Sequence, residues 1–330
     1  MIPLRLVFFG SDAIALPLLE QLAGEGSSLA QVVAVFTQPD RPSGRGQKIE
    51  PNAIKCWALA RNLPVFQPEK PDEAARIELA ALKTDVGLVM AYGHLLRDDF
   101  IATPRLGLLN LHTSLLPKYR GASPIQTAIA CGERETGVTL MRIIRKLDAG
   151  PIADAERVPI HARDTAADIE TKMAAACWPL VARSLPRLSG ETIASTPQDE
   201  AQATYCRRLT KEDGLLDFAA SAAVLAARIN GLFPWPGCGV EISGQPIKLG
   251  LADFEAAFAP GEAGTILGAD AESLRVATGG GILRLLRLQR PGGKMLPAPE
   301  FLRGFSVAPG TVLVSSTMRP LLEHPRPSIK

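Results

Sequence analysis

The sequence is poor in the residues that build metal centres and disulfide frameworks. Its five cysteines, Cys56, Cys131, Cys177, Cys206 and Cys238, are scattered singly, with no C-x-x-C pair and an odd total. Reduced thiols are therefore expected rather than disulfides. Its four histidines never stand at ligand spacing from one another, which predicts no metal site. Also lacking is a G-x-G-x-x-G fingerprint: the first apolar run leads into FFGSDAIALPLL with the single glycine Gly10. A dinucleotide would lack its close approach to the backbone there, which disfavours a nicotinamide enzyme. No apolar run nears the roughly 20 residues needed to span a bilayer. The opening MIPLRLVFFGSD is too short for a secretion-signal core and has no cleavage site, so a cytoplasmic protein without membrane attachment is expected. No internal repeat or low-complexity tract is visible.

What is present is an ordinary apolar content, 46% of 330 residues, on a chain long enough for two cores. Short, nearly all-apolar runs recur: LRLVFFG (4–10), QVVAVFT (31–37), VGLVMAY (86–92) and LGLLNLH (106–112). Between them lie Ala- and Leu-rich stretches with helical spacing, such as Ile14 to Ala23 and Ala53 to Arg61. Runs apolar on both faces and alternating with helices predict an α/β fold with a parallel sheet covered on both sides. After Leu188 the pattern changes to a polar, turn-rich stretch that reads as a linker. A helical segment, Ser221 to Asn230, follows, and then short glycine-divided runs, VEISGQPIKLG, GTILGAD and LRVATGGGILRLLRLQ. These predict a small C-terminal β-barrel. The expected division is a Rossmann-like domain over 1–189, a linker over 190–208, the barrel over 209–315 and a loose tail over 316–330.

Net charge is only +2, unevenly spread: residues 1–205 carry 22 basic and 23 acidic side chains, residues 206–330 carry 14 and 11. From Leu274 to Arg303 six basic residues stand against the single acid Glu300. That stretch suits a polyanion, or simply a solvated sheet face.

The chemistry centres on LGLLNLHTSLLPKYRGASPIQ, residues 106–126. Asn110 and His112, two apart on a strand, share one face, and polar groups on an otherwise apolar strand need partners or a purpose. In parallel α/β sheets ligands sit beyond the carboxyl ends of strands, where this pair lies. A third group follows after the apolar run Gly137 to Ile144, in the turn Asp148-Ala149-Gly150-Pro151, 36 positions after His112. Such an Asp can be a turn former alone, or it can point at His112 from the end of the neighbouring strand. The loop QPDRPSGRGQK, residues 38–48, carries Arg41, Arg45 and Lys48, with Lys55 shortly after.

The combination N-L-H-T-S-L-L-P-K-Y-R-G-A-S-P-I-Q followed by T-G-V-T-L-M and L-D-A-G-P-I resembles the folate-dependent formyltransferases. The stretches FTQPDRPSGRGQK (36–48), PVFQPEKP (64–71), VMAYGHLL (89–96), YCRRLTKEDGLLDF (205–218), NGLFPWPG (230–237) and VATGGGILRLLRLQ (276–289) narrow the resemblance to the methionyl-tRNA formyltransferases, over almost the whole chain. The resemblance implies 10-formyltetrahydrofolate as donor, the amino group of initiator methionyl-tRNA as acceptor, and Asn110, His112 and Asp148 as catalytic residues. It implies a folate site along Met90, Ala91, Tyr92, Gly93 and Leu96, bounded by Ser114, Leu115, Leu116 and Pro117. It also implies tRNA contacts at Arg41, Arg45, Lys48 and Lys211, a tRNA-binding role for the C-terminal domain, and a monomer. The chain departs from the family pattern at Arg97, Thr113 and Lys146, the first two at the expected rim of the folate pocket. Two other readings fit parts of the sequence. One is a formyltransferase for another amine, either a glycinamide ribonucleotide, whose enzyme is a single domain without the barrel-like half, or an amino sugar nucleotide, whose enzyme lacks the QPDRPSGRG loop. The other is an RNA-binding module with an idle α/β half, which would tolerate loss of the Asn, His and Asp set.

Overall fold

The computed structural model describes residues 2–43, 48–190 and 193–323. The chain forms two compact units. One gathers Met1–Arg120, Gly137–Val158 and Thr171–Ala203; the other gathers Gly121–Thr136, Pro159–Glu170 and Thr204–Lys330.

The first unit is built on a seven-stranded sheet. Its strands are β1 (Leu4–Phe9), β2 (Ala30–Phe36), β3 (Val65–Phe66), β4 (Val86–Val89), β5 (Leu108–His112), β6 (Glu135–Arg142) and β7 (Ile152–Pro159), in the spatial order β7-β6-β5-β4-β1-β2-β3. The first five strands pair in parallel, and β6 joins β5 antiparallel. The expected parallel sheet is thus present and is extended at one edge by an antiparallel hairpin. The reason is connectivity: β5 returns through β6 and β7 without a crossover helix between the last two. In β1 both faces are buried from Leu6 to Phe9, as a strand covered on both sides requires. Phe9 and Phe36 stack with centroids 4.9 Å apart, and Phe100 and Tyr92 meet Phe9 edge-on.

Helices α1 (Leu16–Ala23), α2 (Ala53–Leu59) and α3 (Glu73–Ala81) connect these strands. Asn52 caps α2 by accepting from the Lys55 amide at 3.1 Å, and Asp72 caps α3 by accepting from Ala75 at 3.1 Å, each satisfying an amide with no intrahelical partner. Helix α4 (Pro124–Ala130) follows β5, and the long α5 (Ala166–Ser189) ends where the sequence turns polar.

The second unit centres on α6 (Ala222–Leu232) and an antiparallel sheet of β8 (Cys238–Ile242), β9 (Gln245–Glu255), β10 (Ile266–Ala269), β11 (Leu274–Ala277) and β12 (Ile282–Gln289), ordered β8-β9-β12-β11-β10. The expected barrel takes the form of a curled half-barrel, and no pairing joins β8 to β10 among the described residues. Leu225, Ile229 and Leu232 of α6 are buried in one cluster with Ile247, Leu249, Leu283, Leu285 and Phe301, the last from the short helix α7 (Ala298–Arg303). Arg228 and Asn230 of α6 are polar and buried too, and Asn230 ties the helix to the sheet. Its amide donates to the Ala252 carbonyl and accepts from the Ala252 amide, both at 2.9 Å, which pins α6 to β9 at one residue. On the other side α6 meets α4 so closely that a Cβ at Gly231 would lie 2.5 Å from the Ala130 nitrogen. Glycine is needed for that approach.

The segment expected as a loose tail is fastened as far as Glu323. Leu321 is buried, Ser316 N–H donates to Leu216 O at 2.8 Å, and Leu322–Glu323 pairs with Tyr205–Cys206. Backbone hydrogen bonds, which composition does not reveal, hold it.

Candidate active site

Strand β5 places Asn110 and His112 on one face, between β4 and β6: Asn110 lies opposite Val89 and Met141, His112 opposite Thr139. His112 is buried. Its Nε2 lies 2.9 Å from the Tyr119 carbonyl oxygen. A carbonyl only accepts, so Nε2 carries hydrogen. The other nitrogen, Nδ1, faces Asp148 Oδ2 at 3.8 Å, beyond hydrogen-bonding reach and within range of electrostatic attraction when the ring is charged. The Asn110 side chain is half-buried, and its amide has no protein hydrogen bond among the described residues. The sheet sets Asn110 and His112 side by side, and Asp148 approaches His112 from the turn beyond β6.

Asp148 does not sit on a strand. Strand β6 ends at Arg142, and Asp148 lies in a turn with φ +47°, a conformation that Asp tolerates better than most residues. Two residues on, a Cβ at Gly150 would fall 1.7 Å from the Arg142 carbonyl oxygen, so glycine is required there. The turn is strapped by Gln198, whose Nε2 donates to the carbonyls of Asp148 at 2.9 Å and Gly150 at 2.7 Å. Gln198 Oε1 in turn accepts from Arg120, which is fully buried. Arg120 also bonds Glu200, and Glu200 takes Lys146 Nζ at 2.7 Å. Hydrogen bonds from Arg120 and Lys146 hold the Glu200 carboxyl down to about 2. Lys146, a departure from the family pattern, is engaged here.

The loop after His112 is fixed by Thr139. Its hydroxyl donates to the Ser114 carbonyl at 2.6 Å and accepts from the Leu116 amide at 3.1 Å. Ser114 is buried with its hydroxyl bonded to the Lys118 carbonyl, so it offers no nucleophile. Leu116 is buried, Leu115 and Pro117 are partly so.

Of the segment expected to bind folate, Met90, Tyr92 and Leu96 turn inward, while Ala91 and Gly93 lie at the surface with positive φ. Tyr92 packs against Phe9 and His94. Its hydroxyl is buried without a partner among the described residues, and burial pushes its pKa up. Backbone N–H groups of Gly93, His94, Leu95 and Leu96 find no protein acceptor among the described residues. A planar ring with polar edges, such as a pterin, fits that run of open backbone groups. Arg97 is paired with Asp99 at 2.9 Å.

Arg41 and Lys48 stand exposed on a hairpin of Arg41–Ser43 and Lys48–Glu50, with Arg41 3.7 Å from Glu69. Arg45 lies outside the described residues. Lys55 is not one of the loop's available cations: it pairs with Asp40, which also accepts from Gln67, and these bonds hold Asp40 below the usual carboxylate range. In the second unit Lys211 is exposed at the start of the turn Lys211–Gly214. The basic stretch from Leu274 is partly neutralised, since Arg275 and Arg284 pair with Glu255, Asp253 and Glu272. Arg287, Lys294 and Arg303 remain exposed without a carboxylate partner among the described residues.

Sequence reasoning missed Tyr119, Arg120, Thr139, Gln198 and Glu200. The first two lie inside the quoted KYRGASPIQ, where they read as loop. Gln198 and Glu200 lie in the polar stretch read as linker, and nothing in their composition separates them from solvated neighbours. Among the described residues no group of three His, Cys, Asp or Glu side chains is placed to hold a metal ion, and no helix is long and apolar enough to cross a membrane.

Residues 4–181 match the family Formyl transferase, and residues 208–306 match Formyl transferase, C-terminal domain. The chain is 42% identical over 314 residues to a methionyl-tRNA formyltransferase from Ectopseudomonas mendocina (strain ymp), covering 94% of this chain and 98% of that one. It is 42% identical, with the same coverage, to one from Pseudomonas syringae pv. syringae (strain B728a). Among solved structures, WlaRD, a sugar 3N-formyl transferase determined with dTDP and 5-N-formyl-THF, superposes with a TM-score of 0.66 at 19% identity, over 88% of this chain and 99% of that one.

Proposed function

Because the chain belongs to the methionyl-tRNA formyltransferases, we propose that Asn110, His112 and Asp148 carry its reaction, the transfer of a formyl group from 10-formyltetrahydrofolate to the amino group of initiator methionyl-tRNA. The observation that carries the assignment is the setting of His112, with one ring nitrogen committed to the Tyr119 carbonyl and the other directed at Asp148. When the amine attacks the formyl carbon, negative charge develops on the formyl oxygen. The Asn110 amide, without a protein partner among the described residues, donates to that oxygen; losing such a donor costs roughly 3 to 4 kcal/mol in comparable sites. His112, protonated at both nitrogens, supplies positive charge, and the Asp148 carboxylate orients the ring and draws the proton from the attacking nitrogen. The carbon–nitrogen bond to the donor then breaks, and the donor nitrogen takes up a proton. Transfer is direct, so no enzyme nucleophile is required.

The donor lies along Met90, Ala91, Tyr92, Gly93 and Leu96, with Ser114 to Pro117 as the far wall, and reads the open backbone groups rather than side chains. Arg41, Arg45 and Lys48 meet the acceptor end of the tRNA, where a basic hairpin suits a splayed terminus. Lys211 and the exposed Arg287, Lys294 and Arg303 serve the same polyanion from the C-terminal half. The catalytic domain spans 1–189, a linker 190–208, the tRNA-binding domain 209–315 and a terminal segment 316–330. The protein acts as a cytoplasmic monomer.

The test offers the purified protein 10-formyltetrahydrofolate with charged initiator tRNA, charged elongator tRNA, or an amino sugar nucleotide. Formylation of the initiator tRNA far above the other two supports the reading. Preference for the sugar would reassign the acceptor, and no transfer to any amine would leave an RNA-binding protein.

A further inference from the structure

We propose that Gln198 is a positioning residue for formyl transfer, setting the separation of His112 and Asp148 from outside the site. The proposal rests on the reading of those two residues as a catalytic pair. One carboxamide does two jobs. Its nitrogen donates both hydrogens into the Asp148 turn, to the carbonyls of Asp148 and Gly150 at 2.9 and 2.7 Å. Its oxygen accepts from Arg120, from Nε at 3.0 Å and Nη2 at 2.7 Å. Arg120 is the residue after Tyr119, and Tyr119 supplies the carbonyl that holds His112 Nε2. The contacts therefore close a ring: His112 to Tyr119, Arg120 to Gln198, Gln198 to the Asp148 backbone, and the Asp148 carboxylate back to His112 at 3.8 Å.

Arg120 is also anchored from outside the ring. Arg120 is fully buried and takes its countercharge from Glu200 at 3.0 Å, and Glu200 binds Lys146, two residues before Asp148. The Asp148 backbone needs external help, because at φ +47° it sits in a sparsely populated conformation. The carbonyls of Asp148 and Gly150 converge on one amide nitrogen, so removing the donors leaves them repelling each other and lets the turn relax.

Residue type is discriminating here. Only a carboxamide offers two hydrogens on one atom and an acceptor on the next; a carboxylate lacks the donors, and Lys or Arg lacks the acceptor. Gln198 touches neither reacting group. Its effect must pass through the position of the Asp148 carboxylate, where a displacement of about 1 Å is enough to slow a positioned reaction by on the order of a hundredfold.

The experiment uses the full chain with charged initiator tRNA and 10-formyltetrahydrofolate, and compares Gln198→Leu, Gln198→Glu, Asp148→Asn and the double variant Gln198→Leu/Asp148→Asn. Gln198→Glu keeps the acceptor for Arg120 and so keeps the buried ion pair; it serves if Gln198→Leu fails to fold. Both Gln198 variants should lower kcat at least about tenfold while KM for each substrate stays within about twofold, the signature of a defect felt only in the transition state. In the Asp148→Asn background the Gln198→Leu change should cost less than about threefold, because the group it positions is already disabled. Wild-type kcat in Gln198→Glu, or an equal fold-loss from Gln198→Leu in both backgrounds, would overturn the proposal. Asp148→Asn turning over at the wild-type rate would instead bring down the catalytic pair itself, and so is told apart from a failure confined to Gln198.

Discussion

At His112 the decisive detail is which nitrogen is occupied. Nε2–H is committed to the Tyr119 carbonyl, so it is Nδ1 that the ring presents to the Asp148 carboxylate. Asn110 is the complementary case: it sits two residues back on the same face, and its amide has no protein hydrogen bond among the described residues. Residues arranged in this way act on transition-state charge rather than on substrate affinity. Asn110→Ala, His112→Ala and Asp148→Ala should each reduce kcat by more than about tenfold, with folate affinity within about twofold of wild type. Initial rates of formyl transfer and equilibrium folate binding check this, and unaltered kcat in His112→Ala would remove the mechanism. The pair Asn110 and His112 was legible in the sequence because alternation on a strand fixes which residues share a face. The residues that orient them were not. Tyr119 acts through its backbone, and Gln198 reaches the site from 50 positions beyond Asp148 in sequence.

At the scale of single elements, the basic hairpin and the Lys211 turn differ in what holds them. The hairpin's base is set by Asp40, bound to Lys55 and Gln67, which leaves Arg41 and Lys48 exposed beyond it. Replacing Arg41 and Lys48 by alanine should weaken use of tRNA and leave folate binding unchanged. The logarithmic salt dependence of tRNA binding should also flatten by about 0.7 to 0.9 for each phosphate no longer neutralised, because fewer counterions are released. Identical salt slopes for the two proteins would mean that the hairpin does not touch the tRNA.

The Lys211 turn is held from within by Asp213, which is fully buried. Asp213 accepts from Arg207, from the Thr210 amide at 2.7 Å and from the Thr210 hydroxyl. Burial opposes its charge, but the Arg207 pair and the Thr210 bonds outweigh that and hold its pKa below 3.8. A depressed acid lends its stability in full above its unfolded pKa and loses it as pH falls through the lower folded value. Asp213→Asn should therefore cost on the order of 3 kcal/mol at pH 7, the penalty for stranding a partly buried Arg207. The gap between the two melting curves should close below about pH 3.8. A gap that stays constant from pH 7 to pH 3 would show that the charge on Asp213 is not what holds the turn.

At the scale of the molecule, the α/β half and the β-rich half were both legible, because periodicity reports buried faces. How the chain is shared between them was not. The helix α4 belongs by sequence position to the first half, yet it sits in the compact unit that contains α6. The close approach of Gly231 to Ala130 and Gln126 shows how tightly those two helices fit. Periodicity identifies that a helix has an apolar face and says nothing of which later helix covers it. This bears on any attempt to test the C-terminal half by deletion. A fragment ending at residue 208 keeps α4 but lacks α6, and so uncovers the face of α4 at Gln126 and Ala130 that meets Gly231 in the full chain. Uncovering apolar surface costs about 25 cal/mol per Å², against the roughly 5 to 15 kcal/mol typical of a folded protein. The fragment should melt at a lower temperature than the full chain, bind folate more weakly and tend to aggregate. These defects precede any question of tRNA binding, so its loss of formyl transfer would not measure the C-terminal half's grip on RNA. Thermal denaturation and folate binding of the fragment, side by side with the full chain, decide the matter: a native melting temperature with native folate affinity would mean that α4 needs no partner from the second half.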